Sequence, residues 1–207
     1  MRIIVVGATG TIGSAVVAAL MTRHQVVTVG HKGGAFRVDL ASPDSISQLF
    51  RAIGVFDALV SAAGVAKFAS FDELGDADYQ IGLSNKLMGQ VNLVRIGCQL
   101  INDGGSFTLT SGVLSQEPMK GSASISMVNA GLEGFVRAAA LELPRGIRLN
   151  AVSPPWVTET LIALKMDPAI GMPASAVANA YLASVEGTAT GQIIDPRKVA
   201  DNPKRMG

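Results

Sequence analysis

The chain is poor in residues that hold metals or disulfides. It has one cysteine, Cys98, and two histidines, His24 and His31. A single cysteine excludes an internal disulfide and a cysteine-based zinc site. Two histidines are too few for a histidine cluster, so no metal is expected. Charge of one sign is also lacking. Lys and Arg number 17 and Asp and Glu 16, a formal net charge of +1. A general nucleic-acid binder carries a strong basic excess, so no nucleic-acid partner is expected. Tyrosine occurs only as Tyr79 and Tyr181. A long basic leader and a clear cleavage site are missing, so the expected location is cytoplasmic. Residues Ile3 to Thr22 carry no charge, which is a membrane-span length. Their middle, Ala8-Thr9-Gly10-Thr11-Ile12-Gly13, is turn-like and divides a β-branched run from an Ala-rich one. The stretch reads as strand, turn and helix, and no membrane partner is expected.

What is present suits one packed domain. The 207 residues are 48% hydrophobic and 16% charged, too apolar for a disordered chain. Glycine contributes 23 residues, above the usual ~7%, which suggests tight turns and close backbone approaches. Short β-branched runs lie at Ile3–Val6, Val26–Val29, Phe36–Val38, Ala58–Val60, Phe107–Leu109, Ile147–Val152 and Gln192–Ile194. Continuous apolar runs of this kind read as strands buried on both faces. Helical segments are expected at Ile12–Arg23, Pro43–Ile53, Tyr79–Leu100, Ala123–Leu143 and Ala174–Ser184. Ser42 is the expected N-cap of the second, with Pro43 at its first position. The alternation predicts an α/β, Rossmann-like, doubly wound parallel sheet of about seven strands with helices on both faces. One domain is expected over residues 1–195. Residues 196–207 read as a mobile tail or a strap over a neighbouring subunit.

Gly7-Ala8-Thr9-Gly10-Thr11-Ile12-Gly13 follows the first strand and opens the first helix. Such a turn aims backbone N–H groups and a helix N-terminus at an anion. Gly7 makes the turn, Gly10 admits a pyrophosphate, and Gly13 lets the helix pack close. The loop therefore predicts dinucleotide binding through Gly7, Thr9, Gly10, Thr11, Ile12 and Gly13. A carboxylate at the end of the second strand would hold the ribose of NAD(H). This chain has His31 and Lys32 there, which favours a 2′-phosphate and hence NADP(H) over NAD(H).

From these residues onward the chain resembles the short-chain dehydrogenase/reductase family over about 195 residues. Asp39-Leu40 resembles the pair whose Asp meets the adenine amino group. Leu59-Val60-Ser61-Ala62-Ala63-Gly64 resembles the strand that ends in Asn-Asn-Ala-Gly, with both Asn replaced. Asn85 stands where the family has a helix-kinking Asn that anchors a proton-relay water. Leu109-Thr110-Ser111 resembles the strand that ends in the catalytic Ser. Ala130–Gly134, Ala140–Leu143 and Ile147–Pro154 match closely. The resemblance implies an oxidoreductase acting on a carbonyl or alcohol. It implies catalytic roles for Ser111 and Asn85. It implies cofactor contacts from Asp39, Leu40, Ala62, Ala63, Gly64, Asn129, Pro154, Val157 and Thr158.

The family's Tyr-x-x-x-Lys signature is absent. Alignment on Asn129-Ala130-Gly131-Leu132-Glu133-Gly134 puts Ile125 in the Tyr position and Asn129 in the Lys position. Ile125 has no proton to give, and Asn129 carries no charge to depress a neighbour's pKa. Tyr79 and Tyr181 are expected too far away to substitute. Lys86 and Lys120 are read first as solvated lysines and second as a substitute cation. The strict Thr position two beyond Val157 holds Glu159, flanked by Thr158 and Thr160. The apolar excursion from Leu161 to Pro173 reads as a lid over an apolar small-molecule substrate or as an oligomer contact. Two functions follow. One is an NADP(H)-dependent oxidoreductase with a non-standard proton donor. The alternative is a catalytically inactive NADP(H)-binding sensor or regulatory partner. The two long helices resemble those that pair across the family's two-fold axes, which implies a homodimer or homotetramer.

Overall fold

The computed structural model describes residues 1–200. Seven parallel strands form one sheet in the order β3-β2-β1-β4-β5-β6-β7. The strands are β1 (Arg2–Val6), β2 (Gln25–Gly30), β3 (Phe36–Arg37), β4 (Phe56–Ser61), β5 (Ile101–Thr110), β6 (Arg148–Val152) and β7 (Ile193–Ile194). The uncharged Ile3–Thr22 stretch divides into β1, the glycine turn and α1 (Thr11–Leu20). Among the described residues no helix is long and apolar enough to cross a membrane.

Period-two burial splits each central strand between two cores. From β1, Ile4 and Val6 join one apolar cluster, and Ile3 and Val5 join the other. The first cluster takes α2 (Pro43–Ile53), α4 (Met88–Gly97) and α5 (Ala123–Ala139). The second takes α1 and α7 (Ala174–Glu186). Strand order reverses between β1 and β4, which opens a crevice beyond their carboxyl ends.

Local chemistry sets the helix ends. Ser42 caps α2 by accepting the Ser45 amide at 3.2 Å, with Pro43 next. The expected helix over Tyr79–Leu100 is broken into three pieces. α3 (Asp76–Ile81) leads into a π-helical turn, Gly82–Leu87, and then α4. α5 stops at Ala139, short of Leu143, as the chain approaches Pro144. The excursion after β6 contains α6 (Thr158–Ala163) and a 3₁₀ turn at Pro168–Ile170. The expected tail begins as a helix, α8 (Pro196–Ala200). Arg197 there pairs with Asp195 at 2.8 Å and with Glu117 at 2.7 Å. These pairs tie the first residues of the expected tail to the segment before it and to Glu117. Residues 201–207 of that expected tail lie outside the described residues.

Candidate functional site

The glycine turn sits at the mouth of the crevice. Gly7 has φ +84°, and a Cβ there would stand 2.6 Å from the Ala62 carbonyl oxygen. A Cβ on Gly13 would stand 1.9 Å from the Gly7 carbonyl oxygen. Both positions therefore demand glycine, and both draw α1 tightly onto the sheet. Gly10 caps α1 without a side-chain partner. The exposed Thr11 follows it and Ile12 lines the crevice, so the first amides of the helix face the opening.

Two cavities flank the turn and share Ala63 and Gly64. The outer one, about 260 Å³, is lined by Gly7, Gly30, His31, Val38, Leu40 and Asn85 among others. Lys32 is exposed and does not line it. Arg37 pairs with Gly30 in the β2–β3 register and adds a guanidinium to that corner beside His31 and Lys32. Asp39 also lies outside the lining, because its Oδ1 accepts the Ala41 amide at 2.9 Å.

The inner cavity, about 280 Å³, collects Ile12 and Ala62 from one side and Ser111, Ile125 and Asn129 from the other. Pro154, Trp156, Val157 and Thr160 close its end. Asn129 is 1% exposed, and its Nδ2 donates to the Gly112 carbonyl at 3.3 Å. Its Oδ1 is buried with no hydrogen-bond partner.

Several of the expected site residues have partners within the protein. The Ser111 hydroxyl donates to Glu133 Oε1 at 3.2 Å, so its proton is engaged beneath α5. Asn85 Oδ1 accepts the Val65 amide at 2.9 Å and borders the outer cavity, whereas Ser111 lines the inner one. Thr158 is the first residue of α6, its amide donates to Met172, and Thr160 reaches the lining in its place. Glu159 points away as well, accepting the Ala174 amide with both carboxylate oxygens at 3.1 and 3.0 Å. Of the excursion, Leu161 is buried, whereas Ile162, Leu164, Met166 and Ile170 face outward. Tyr181 is fully buried and bonded to Thr110 Oγ1 at 2.7 Å, with burial pushing its pKa up.

Lys86, read from the sequence first as a solvated lysine and second as a substitute cation, takes the second place. Its Nζ donates to the Ser111 carbonyl at 3.0 Å, and it lines the inner cavity. Burial alone pushes its pKa down, to about 8. The π-helical turn carries an extra residue, which rotates each following side chain relative to a 3.6-residue helix.

Comparison with known proteins fits this geometry. A family model described as enoyl-(acyl carrier protein) reductase matches residues 10–195. A 3-oxoacyl-[acyl-carrier-protein] reductase of Mus musculus is 29% identical over 140 residues, covering 63% of this chain and 59% of that protein. An acetoacetyl-CoA reductase of Allochromatium vinosum is 30% identical over 139 residues, covering 64% and 56%. The chain thus spans less than two thirds of the length of these relatives. The crystal structure of the protein lin1944 from Listeria innocua superposes with TM-score 0.91 at 40% identity, covering 94% of this chain and 98% of that one. A small-chain dehydrogenase in complex with NADPH gives 0.83 at 27% identity, covering 94% and 95%. The match over residues 10–195 and the shared sheet establish that the chain belongs to the short-chain dehydrogenase/reductase family.

Proposed function

We propose that the protein is an NADP(H)-dependent oxidoreductase acting on an apolar carbonyl or alcohol. The observation that carries this reading is the pair of cavities that share Ala63 and Gly64 in their linings, over the reversal of strand order. A dinucleotide occupies two adjoining sites of this kind with a phosphate site between them. The residues present fit that group. The Gly7–Gly13 turn and the α1 amides would hold the pyrophosphate. The orphaned Asn129 Oδ1 would accept a ribose hydroxyl. His31, Lys32 and Arg37, with Asp39 turned to Ala41, favour a 2′-phosphate. Pro154 and Val157 would border the nicotinamide. When bound, the reduced nicotinamide supplies hydride to a carbonyl carbon. Ile125, Leu114 and Trp156 give the remaining space an apolar wall that excludes water from the reacting group. The names of the two reductase relatives and the NADPH-complexed neighbour agree with this reading.

Calorimetric titration tests it. NADPH is expected to bind at least ~10-fold more tightly than NADH, a difference of about 1.4 kcal/mol. Equal affinities would remove the 2′-phosphate assignment, and no binding of either would overturn the proposal. Ile125 in the Tyr position favours a second reading, a cofactor-binding protein without turnover. Mixing the NADPH complex with ethyl acetoacetate and following loss of the reduced dinucleotide separates the two.

A further inference from the structure

Among the described residues, Lys86 is the one titratable side chain lining the inner cavity. Its stem crosses Gly64 so closely that a Cβ there would stand 2.7 Å from Lys86 Cγ. One of the three N–H donors of its ammonium is used on the Ser111 carbonyl, leaving two for a ligand. Among the described residues no acidic group pairs with it. Its backbone belongs to a π-helical turn, a feature frequent at functional sites. Ile125, which cannot donate a proton, lines the same cavity.

We propose that Lys86 is the proton donor of this site, delivering the proton that Ile125 cannot to the carbonyl oxygen of the substrate. The proposal rests on the oxidoreductase reading above. The step balances as a carbonyl reduction. The Nζ–H bond breaks and an O–H bond forms at the substrate oxygen. The carbonyl π bond opens as its carbon takes hydride from the reduced nicotinamide dinucleotide, the two-electron reductant. An alcohol, the oxidised dinucleotide and a neutral amine result, and solvent water returns a proton to Nζ.

The surroundings leave Lys86 to titrate alone. On α5, Glu133 is bonded to Ser111, Ser115, Gln116 and Arg137. On α3, Asp78 accepts the Gly75 amide, and on α4, Arg95 donates to Asn92. In the segment after Gly64, Lys67 lies near Glu73. The β4, β5 and Pro154–Val157 linings carry no charge. Burial places the ammonium's pKa at about 8, close enough to neutrality for efficient proton transfer.

The test uses the whole protein with NADPH and ethyl acetoacetate, a 3-oxoester. The Cε resonance of Lys86 in lysine-labelled protein, identified by its loss in Lys86→Met, is expected to titrate near 8. Reduction should be flat in kcat/KM below that pH and fall above it. Lys86→Met should lose ~10²–10⁴-fold in kcat/KM, with NADPH affinity by calorimetry changed by less than roughly threefold. Lys86→Arg keeps the charge and the donor to Ser111 but cannot lose its proton near pH 8. It should be slow and lack the alkaline fall. A Lys86 titration midpoint at the ordinary lysine value overturns the proposal. So does Lys86→Met activity within roughly threefold of wild type, or a wild type that binds NADPH and reduces no ethyl acetoacetate. A wild type that binds no NADPH overturns the oxidoreductase reading itself, and calorimetry reports that failure separately.

Discussion

Burying Lys86 has a consequence for stability. Its pKa falls from 10.5 in the unfolded chain to about 8 in the folded one. Between those values the folded state binds fewer protons than the unfolded state, so stability rises as pH climbs from 8 to 10.5. Below 8 the lysine is charged in both states and the full burial penalty applies. That penalty is on the order of 3 kcal/mol, partly offset by about 1 kcal/mol from the bond to Ser111. Lys86→Met is therefore expected to raise the Tm at pH 7, with the gain fading as pH climbs from 8 to 10.5. A lower Tm at pH 7 would mean that the ammonium is well solvated. The same residue marks where sequence reading ran short. The Gly7–Gly13 turn, Ala62–Gly64 and Val157 were legible because each follows a local pattern after a strand, and Asn129 because it opens the Asn129–Gly134 run within α5. Lys86 follows none, since its direction is set by an extra residue in a helical turn.

At the scale of elements, legibility tracks how local the determinants are. The bounds of α2 are the expected Pro43–Ile53, because Ser42 and Pro43 start it and Gly54 at φ +76° ends it. The break between α3 and α4 depends on contacts from distant segments. Asn85 holds the Val65 amide, Lys86 reaches Ser111, and Gly82 lies against Val128. No window of sequence reports those partners. Glu159 is a similar case. Its carboxylate caps α7, whose own N-cap, Pro173, offers no side-chain acceptor. α7 buries Val177, Tyr181 and Val185 on the sheet, so fraying at its first turn is felt by that core. Glu159→Ala is expected to cost about 1 kcal/mol in urea unfolding. Glu159→Gln, which keeps an acceptor, should cost less. Equal stability of all three proteins would show that the cap contributes nothing in solution.

The whole molecule presents one helix face with few polar groups. On α5, Met127, Ala130, Gly131, Gly134 and Ala138 point outward, and only Arg137 among the exposed residues there is charged. Leu141 just beyond the helix is 87% exposed. Small residues make a flat surface on which a second helix can lie close, and two copies of the same face suit a two-fold axis. Light scattering of the wild type is accordingly expected to give a dimer or tetramer. Gly134 offers a clean way to break it, since a Cβ added there meets nothing within 4 Å in the protomer. Gly134→Glu leaves the core untouched and removes a helix-interior glycine, which should favour the helix by roughly 0.5–1 kcal/mol. Its bulk and charge would stand in the middle of the paired faces. The variant is expected to be monomeric with an unchanged far-ultraviolet circular dichroism spectrum. A variant that keeps the wild-type mass would show that this face of α5 is open to solvent and that any assembly uses another surface.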